Sequence, residues 1–564
     1  MANFSAWLKT TIKRMLLYIV GIIIILSILL VGGFYIAKPH LESFVASEMT
    51  KRGVKADSSK ISLFGNVSLT NVRLPVPDDI DLKIGALSGR PPIAFLPGSF
   101  TLYDIELQRD NIRLQIPQIS ISGVSLHDKD SSINAKILQT LHRVSISSVN
   151  APTMLLSVTT PNGTLENLDI KGFWISGFKN GTIGSIGLTS MNTNIGLASL
   201  TSDINNPMRF VGKSDAMRAQ NIDIAYAYSI LTQSTSTAEE GKTLIGPVAL
   251  TNLDIDIFDG TQNNLHLIMG QFNTDGLKMR PMNIVAENVF KTYLDAKKSG
   301  NEEAKKAQKN ILIHALINSI TSIDARIENS QIETTKLKAA LKAFQLKPNN
   351  WNQPIPESLL LSIDGFSLDT NQLPPKDAEL FQNLGLETIN LSGKLDFSYH
   401  SNNKRLSLNS LSFDAPGIGS GDMTATVVDV EPNVFSGNKE DALMAAANIG
   451  VTAIDMRYSD FGFIDKFLTY LSQSLDDDEH NLKKELYEDF YIAMTRTPLM
   501  ILKDHDEAEK ISKEFGKFAQ NPGTLKISMR AKDNKGLTSE DLEQILDGTL
   551  SDAMNKIDLN VEAQ

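Results

Sequence analysis

The sequence predicts a mostly β protein with helical insertions, tethered by one N-terminal transmembrane helix and followed by an α+β C-terminal region. Three observations predict it: an uncharged apolar run from Met15 to Ala37, a long series of segments with apolar residues at every second position, and a change to helical periodicity after Phe461.

The run Met15–Ala37 contains no charged residue. At 1.5 Å of rise per residue, its roughly 23 residues reach about 34 Å, enough to cross a hydrocarbon core of about 30 Å. A cleaved signal peptide has a shorter apolar region and small residues before the cut. Here Tyr35-Ile36-Ala37 stands in that place, so the run reads as an uncleaved signal anchor. Lys9, Lys13 and Arg14 precede the run with no acid among them, while Lys38 beyond it is soon followed by Glu42 and Glu48. The positive-inside rule then leaves residues 1–14 in the cytoplasm and the chain after Lys38 outside it.

Leu41 to Met49 reads as a short amphipathic helix, and from there to residue 435 the period becomes two. Ile61–Leu69, Phe100–Leu107, Ile112–Ile116, Val144–Ser148, Thr153–Val158 and Thr182–Leu188 alternate in this way, as do Leu359–Leu368, Leu386–Tyr399, Leu406–Phe413 and Met423–Val430. One pattern recurs at Val67–Leu74, Gly163–Ile170 and Val248–Ile255, and more loosely at Leu406–Phe413. Within it the alternation shifts by one residue at Asn71, Asn167, Asn252 or Ser410, as a bulge or bend in a strand would require. The equivalent residues Leu69, Leu165 and Leu250 are therefore expected to face one apolar interior, with Glu166 facing outward.

A helical insertion is predicted at 286–319, formed by Ala286–Lys297 and Glu302–Ser319 on either side of Ser299-Gly300. Residues 436–564 form the α+β region, with a boundary placed near Phe435–Leu443. Helices are expected at Phe461–Ser472, Glu479–Thr495 and Glu507–Ala519, then a strand at Thr524–Arg530. A helix from Ser539 to Leu546 follows the capping pattern Thr538-x-x-Asp541, and Lys556–Val561 closes the region as a strand.

Composition excludes several chemistries. A net charge of −11 and the lack of a basic arm argue against nucleic acid. The absence of cysteine removes disulfides, thiol nucleophiles and sulfur-ligated metals. The eight histidines show no metal-ligand spacing; His314 reads as a helix residue, and Asp476–His480 as acids favouring a helix start. Gly417-Ile-Gly-Ser-Gly421 is followed by the alternating Met423–Val428 rather than by a helix, so it reads as a turn between strands and not as a phosphate loop. No nucleophile, base and orienting group can be assembled, so the chain is expected to be no enzyme and to need no cofactor or metal.

The segment Arg52–Leu74, behind an anchor and a short amphipathic helix, resembles the start of AsmA-like envelope proteins, with Gly53, Gly65 and Asn71 at the matching places. The match covers roughly Leu41–Leu74; the strand-rich body is similar only in style, and the helices after Phe461 depart from the short members. The resemblance implies a long, curved β-sheet folded along its axis into an open trough, on a single-pass protein of the bacterial inner membrane with its bulk in the periplasm. It further implies that the trough binds or transfers phospholipid acyl chains for outer-membrane biogenesis in a Gram-negative envelope. The competing expectation is a non-catalytic, membrane-anchored scaffold that binds envelope proteins. A continuous apolar groove favours the first, and two sheets closed on each other favour the second.

Overall fold

The computed structural model describes residue 49 and residues 54–564, apart from 63–65, 75–79, 93–95, 128–135, 160–164, 197–207, 235–240, 260–261, 336, 352–354, 436–438, 475–478, 503–506, 539 and 542–554. Met15–Ala37, with Lys9, Lys13 and Arg14, lies outside the described residues. So do most of Leu41–Met49 and of Ser539–Leu546. Among the described residues, no helix is long and apolar enough to cross a membrane. The protein is mostly β, built on antiparallel ladders with helices inserted between strands. It divides into two compact units, one of residues 1–234, 242–277 and 281–315, the other of 235–241, 278–280 and 316–564.

In the first unit the strands are β1 (Ser58–Ile61), β2 (Val67–Arg73), β3 (Asp81–Arg90), β4 (Gly98–Arg109), β5 (Ile112–Leu126), β6 (Val144–Thr159), β7 (Leu165–Lys179), β8 (Thr182–Leu188), β9 (Ser190–Gly196), β10 (Met208–Ser214), β11 (Met217–Asp223), β12 (Lys242–Ile245), β13 (Val248–Asp259) and β14 (Gln262–Met279). From β1 to β7 each strand pairs with the next. Beyond β7 the strands split in two: β7 pairs with both β8 and β9, these pair with β11 and β10, and both of those pair with β13. β13 then pairs with β14.

The split continues a crease that begins inside the whole strands. Asn71, Asp104, Gly172 and Asn252 have φ of 50°, 51°, 58° and 51°. A left-handed residue in mid-strand breaks the pleat, and Asn, Asp and Gly tolerate that conformation best. Its effect is a one-residue shift of facing, so Leu69 and Val72, three apart, are both buried in one cluster. On β5 and β6 the register that runs to Gln115↔Leu155 resumes at Ser120↔Asn150, and the interrupted stretch holds Pro117 and Pro152, which have no amide to give to a ladder.

In the second unit the strands are β15 (Ile320–Thr334), β16 (Leu337–Asn349), β17 (Ser358–Asp369), β18 (Thr388–His400), β19 (Arg405–Ala415), β20 (Gly419–Val428), β21 (Gly450–Asp460), β22 (Thr524–Ala531), β23 (Leu537–Thr538) and β24 (Ile557–Ala563). Each from β15 to β22 pairs with the next, and β22 pairs with β24. The crease recurs: Asn329 and Gly365 have φ of 52° and 59°, and register shifts follow at Asp396/Phe397 and Leu408/Leu411. Gly417, at φ 78°, forms the expected turn between β19 and β20.

The helices are α1 (Lys136–Arg143), α2 (Ile224–Thr232), α3 (Ala286–Lys298), α4 (Glu302–Ser319), α5 (Pro375–Asn383), α6 (Lys439–Ala446), α7 (Phe463–Ser474), α8 (Glu479–Leu502) and α9 (Ala508–Gln520). The boundary expected near Phe435–Leu443 does not separate two bodies. β20 and β21 pair along their lengths on either side of it, so α6 is an insertion in one ladder and residues 436–564 share a unit with β15–β20.

The predicted cap at Thr538 is present. Thr538 N–H donates to Asp541 Oδ2 at 2.9 Å, Asp541 N–H donates to Thr538 Oγ1 at 3.4 Å, and Lys556 Nζ donates to Asp541 Oδ1. Asp541 is 3% exposed. Burial pushes its carboxyl up, but the bonds from Lys556 and Thr538 outweigh burial and hold it below its ordinary 3.8. A carboxyl with a depressed folded pKa contributes stability above its unfolded value and loses it as pH falls through the folded one. Urea unfolding should therefore show Asp541→Asn less stable than wild type at pH 7, with the difference shrinking as pH falls below about 3.8. An equal difference at pH 7 and pH 3 would refute that role.

Candidate functional site

Cross-strand partners share a face, so the register can be followed across a sheet as rows of side chains. One row in the first unit pairs Leu69 with Leu87, Leu87 with Leu102 and Leu102 with Ile119. The flanking registers continue it through Ala151, Phe173 and Leu188 to Met217, Leu250 and Phe272. Across the crease, a second row joins Val72, Ile84, Ile105 and Ile116, followed by Met154, Ile170, Met191 and Ser214. Ser214 is the one polar side chain among these, and its buried hydroxyl has no partner among the described residues.

Burial changes along the rows. Leu69, Leu87, Leu102, Val72, Ile84 and Ile116 belong to a single buried cluster, so here the two sides of the crease pack on each other. Leu87 is 1% exposed, whereas Met217 is 42% exposed and Leu250 and Phe272 are half-buried. The same face is closed at its first strands and open at its last.

In the second unit one row runs Ala325, Leu346, Leu361, Leu395, Leu411, Met423, Met456, Ile527 and Val561. Beside it run Ile327, Phe344, Ile363, Gly393, Phe413, Gly421, Tyr458, Leu525 and Ala563. Leu411 is 44% and Met456 39% exposed in mid-sheet. At the far strands Leu502 of α8 and Ile511 and Phe518 of α9 cover Leu525, Met529 and Val561. Gly421 makes room for the Phe413 ring, whose Cε1 would lie 2.5 Å from a Cβ there. Around Gly393 and Gly421 lies a depression of about 330 Å³, bordered by Ile363, Phe413, Ser392 and Lys394. Tyr458, the cross-strand partner of Gly421, is pushed up to about 12 by burial and by the Asp460 carboxylate, to which its hydroxyl donates at 3.1 Å.

The opposite face is polar and self-paired. Arg113–Glu106 (2.6 Å), Arg326–Glu328 (2.7 Å), Lys347–Asp324 (2.6 Å) and Lys394–Asp396 (3.0 Å) are ion pairs along it. His266 lies 2.9 Å from Asp254 and 4.0 Å from Asp256. Among the described residues, no group of three His, Asp or Glu is placed to hold a metal ion.

Leu69 and Leu250 thus occupy one row. For Leu165 the side chain lies outside the described residues; its backbone pairs with Thr159. Glu166, expected to face outward, is buried opposite Val158 and accepts the Gly196 N–H at 2.7 Å. The reason is that Asn167, unlike Asn71 and Asn252, does not adopt a positive φ, and the bend in β7 falls at Gly172. Alternation alone marked the pattern but not Leu411 and Met456, whose exposure depends on where the helices end.

A family model described as "Uncharacterized protein" matches residues 412–564. No curated protein and no solved structure matches the chain.

Proposed function

We propose that this chain is an AsmA-like, single-pass protein of the bacterial inner membrane whose periplasmic β-sheet forms a trough that binds or transfers phospholipid acyl chains. The observation that carries the reading is the run of cross-strand apolar rows that remain open to solvent at Met217, Leu411 and Met456. Soluble proteins seldom leave such contiguous apolar surface uncovered without a use for it. A hydrocarbon chain laid along a row gains about 0.8 kcal/mol per methylene removed from water, while a headgroup stays wet at the rim. Low headgroup selectivity follows, since the lysines and arginines named above are occupied by acids of the polar face.

Exposed side chains of the helical region, Leu443, Met444 and Met500, favour the scaffold as the second reading. Photocrosslinking in living cells separates the two. A photoreactive residue at position 411 or 456 should capture diacyl lipid, and one at Thr424, in the alternate register on β20, should not. Capture of proteins alone at 411 and 456 would replace lipid binding with the scaffold.

A further inference from the structure

Among the described residues, β24 pairs with β22 on one side and with no strand on the other. Thr524 and Gln564 exchange both backbone hydrogen bonds at 2.8 Å, which sets the phase of the β22–β24 ladder. The N–H and C=O groups of Ile557, Leu559, Val561 and Ala563 therefore face away from β22. Glu514 of α9 accepts the Ala563 N–H at 3.0 Å. Among the described residues, the outer groups of Ile557, Leu559 and Val561 meet no strand. Natural edges are blunted by proline, lysine, bulges or brevity, as β1 is with four residues and Lys60. Ile557-Asp-Leu-Asn-Val-Glu-Ala563 has no proline, lysine or bulge; its guards are Asp558, Glu562 and the Glu514 cap at Ala563, which leave the outward groups of Ile557, Leu559 and Val561 without a strand partner among the described residues.

We propose that this edge pairs with the same edge of a second copy of the chain, antiparallel about a two-fold axis at Leu559. Outward-bonding residues must oppose one another, which sets the axis on a residue from Asp558 to Val561; an axis at Val561 is set aside because it pairs Leu559 with Ala563, whose amide Glu514 holds. An axis at Asp558 sets two Asp558 carboxylates face to face. An axis at Asn560 opposes Asp558 to Glu562 and needs the Ala563 amide that Glu514 already holds. Like charges directly opposite are destabilising, so both are disfavoured. The axis at Leu559 sets Ile557 against Val561, Asp558 against Asn560 and Lys556 against Glu562, and Ala563 falls beyond the last pair. Lys556 already donates to Asp541, but an ammonium has three protons to share. In this register the apolar row reaching Val561 runs on into Ile557 of the second copy. An isologous contact of this kind closes as a dimer and does not propagate.

These 564 residues include no cysteine, so introduced thiols report only the contact they test. Asp558→Cys with Asn560→Cys places thiols on a non-hydrogen-bonded pair, about 4.5 Å between Cα atoms and within disulfide reach. Oxidation should give a covalent dimer from this double variant and none from either single variant or from Asp558→Cys/Glu562→Cys. Sedimentation of the detergent-solubilised wild type should show a dimer. Leu559→Pro, which removes an outward amide without touching the β22 ladder, should raise the dissociation constant at least tenfold with unchanged circular dichroism. A monomeric wild type, or covalent dimers in the Asp558/Glu562 pairing instead, overturns the proposal.

Discussion

Leu411→Asp is expected to leave the fold standing and to weaken acyl-chain binding about a hundredfold. Leu411 is already 44% exposed, so the change forfeits only part of a leucine's burial, about 1 kcal/mol. For a ligand the loss is larger. An ionised carboxylate in the row keeps its own hydration and holds three or four neighbouring methylenes in water, forfeiting about 3 kcal/mol. At 1.4 kcal/mol per decade that is a factor of about one hundred. The same substitution at Ile84, which has no exposure and lies in the closed part of the first unit, should instead prevent folding. Binding of a fluorescent phospholipid and thermal unfolding, measured on both variants, separate the effects. Undiminished binding by folded Leu411→Asp would show that this face is not where lipid sits.

Replacing Asn252 tests the crease. Its φ of 51° suits Asn or Gly, and its Nδ2 donates to Asp215 Oδ2 at 2.7 Å. Asn252→Gly keeps the backbone and loses that exposed bond, for about 1 kcal/mol or less. Asn252→Val adds a β-branched side chain in the left-handed region, about 1–3 kcal/mol of strain, or forces the strand back into a regular pleat. The second outcome turns either Leu250 or Leu253 to the wrong face, because the one-residue shift no longer falls between them. Urea unfolding should place Val well below Gly in stability, with lipid binding impaired in Val alone. Equal stabilities for the two would mean that the bend does not depend on this residue.

Much of the fold is legible in the sequence where local pattern and local structure coincide. The phase shifts at Asn71 and Asn252 mark true bends: each Asn takes a left-handed φ and donates its Nδ2 to an aspartate, Asp57 and Asp215. The shift at Asn167 is the same in letters, yet there the strand stays regular and Glu166 is drawn inward by the amide of Gly196, thirty residues away in the chain. No window of alternation contains that bond. The short helices Lys136–Arg143, Ile224–Thr232 and Pro375–Asn383 were hidden for a different reason: eight or nine residues give little more than two helical turns, too few to show a period. The boundary expected near Phe435 stands where the pattern turns from strand-like to helical, and strand pairing runs across that turn from β20 to β21. The open part of the apolar face was legible as alternation but not as exposure, which is set by the reach of α8 and α9 over β22 and β24.

The crease has a bearing on how such a chain can change in length. Where a bend is written by one left-handed Asn, Asp or Gly, as at Asn71, Asp104, Gly172, Asn252, Asn329 and Gly365, the backbone turn lies within that strand itself. A hairpin duplicated or deleted whole would bring or remove its own bend and its own rungs of apolar side chains, leaving the flanking registers aligned. Gain of a single strand would reverse the direction of everything after it, and loss of the bend residue alone would turn half a strand inside out. Growth by hairpins is therefore the tolerated route, and the splitting of the strands at Thr189 and at Asp215-Ala216 shows that the crease itself can accept a complete break while the rows on either side continue.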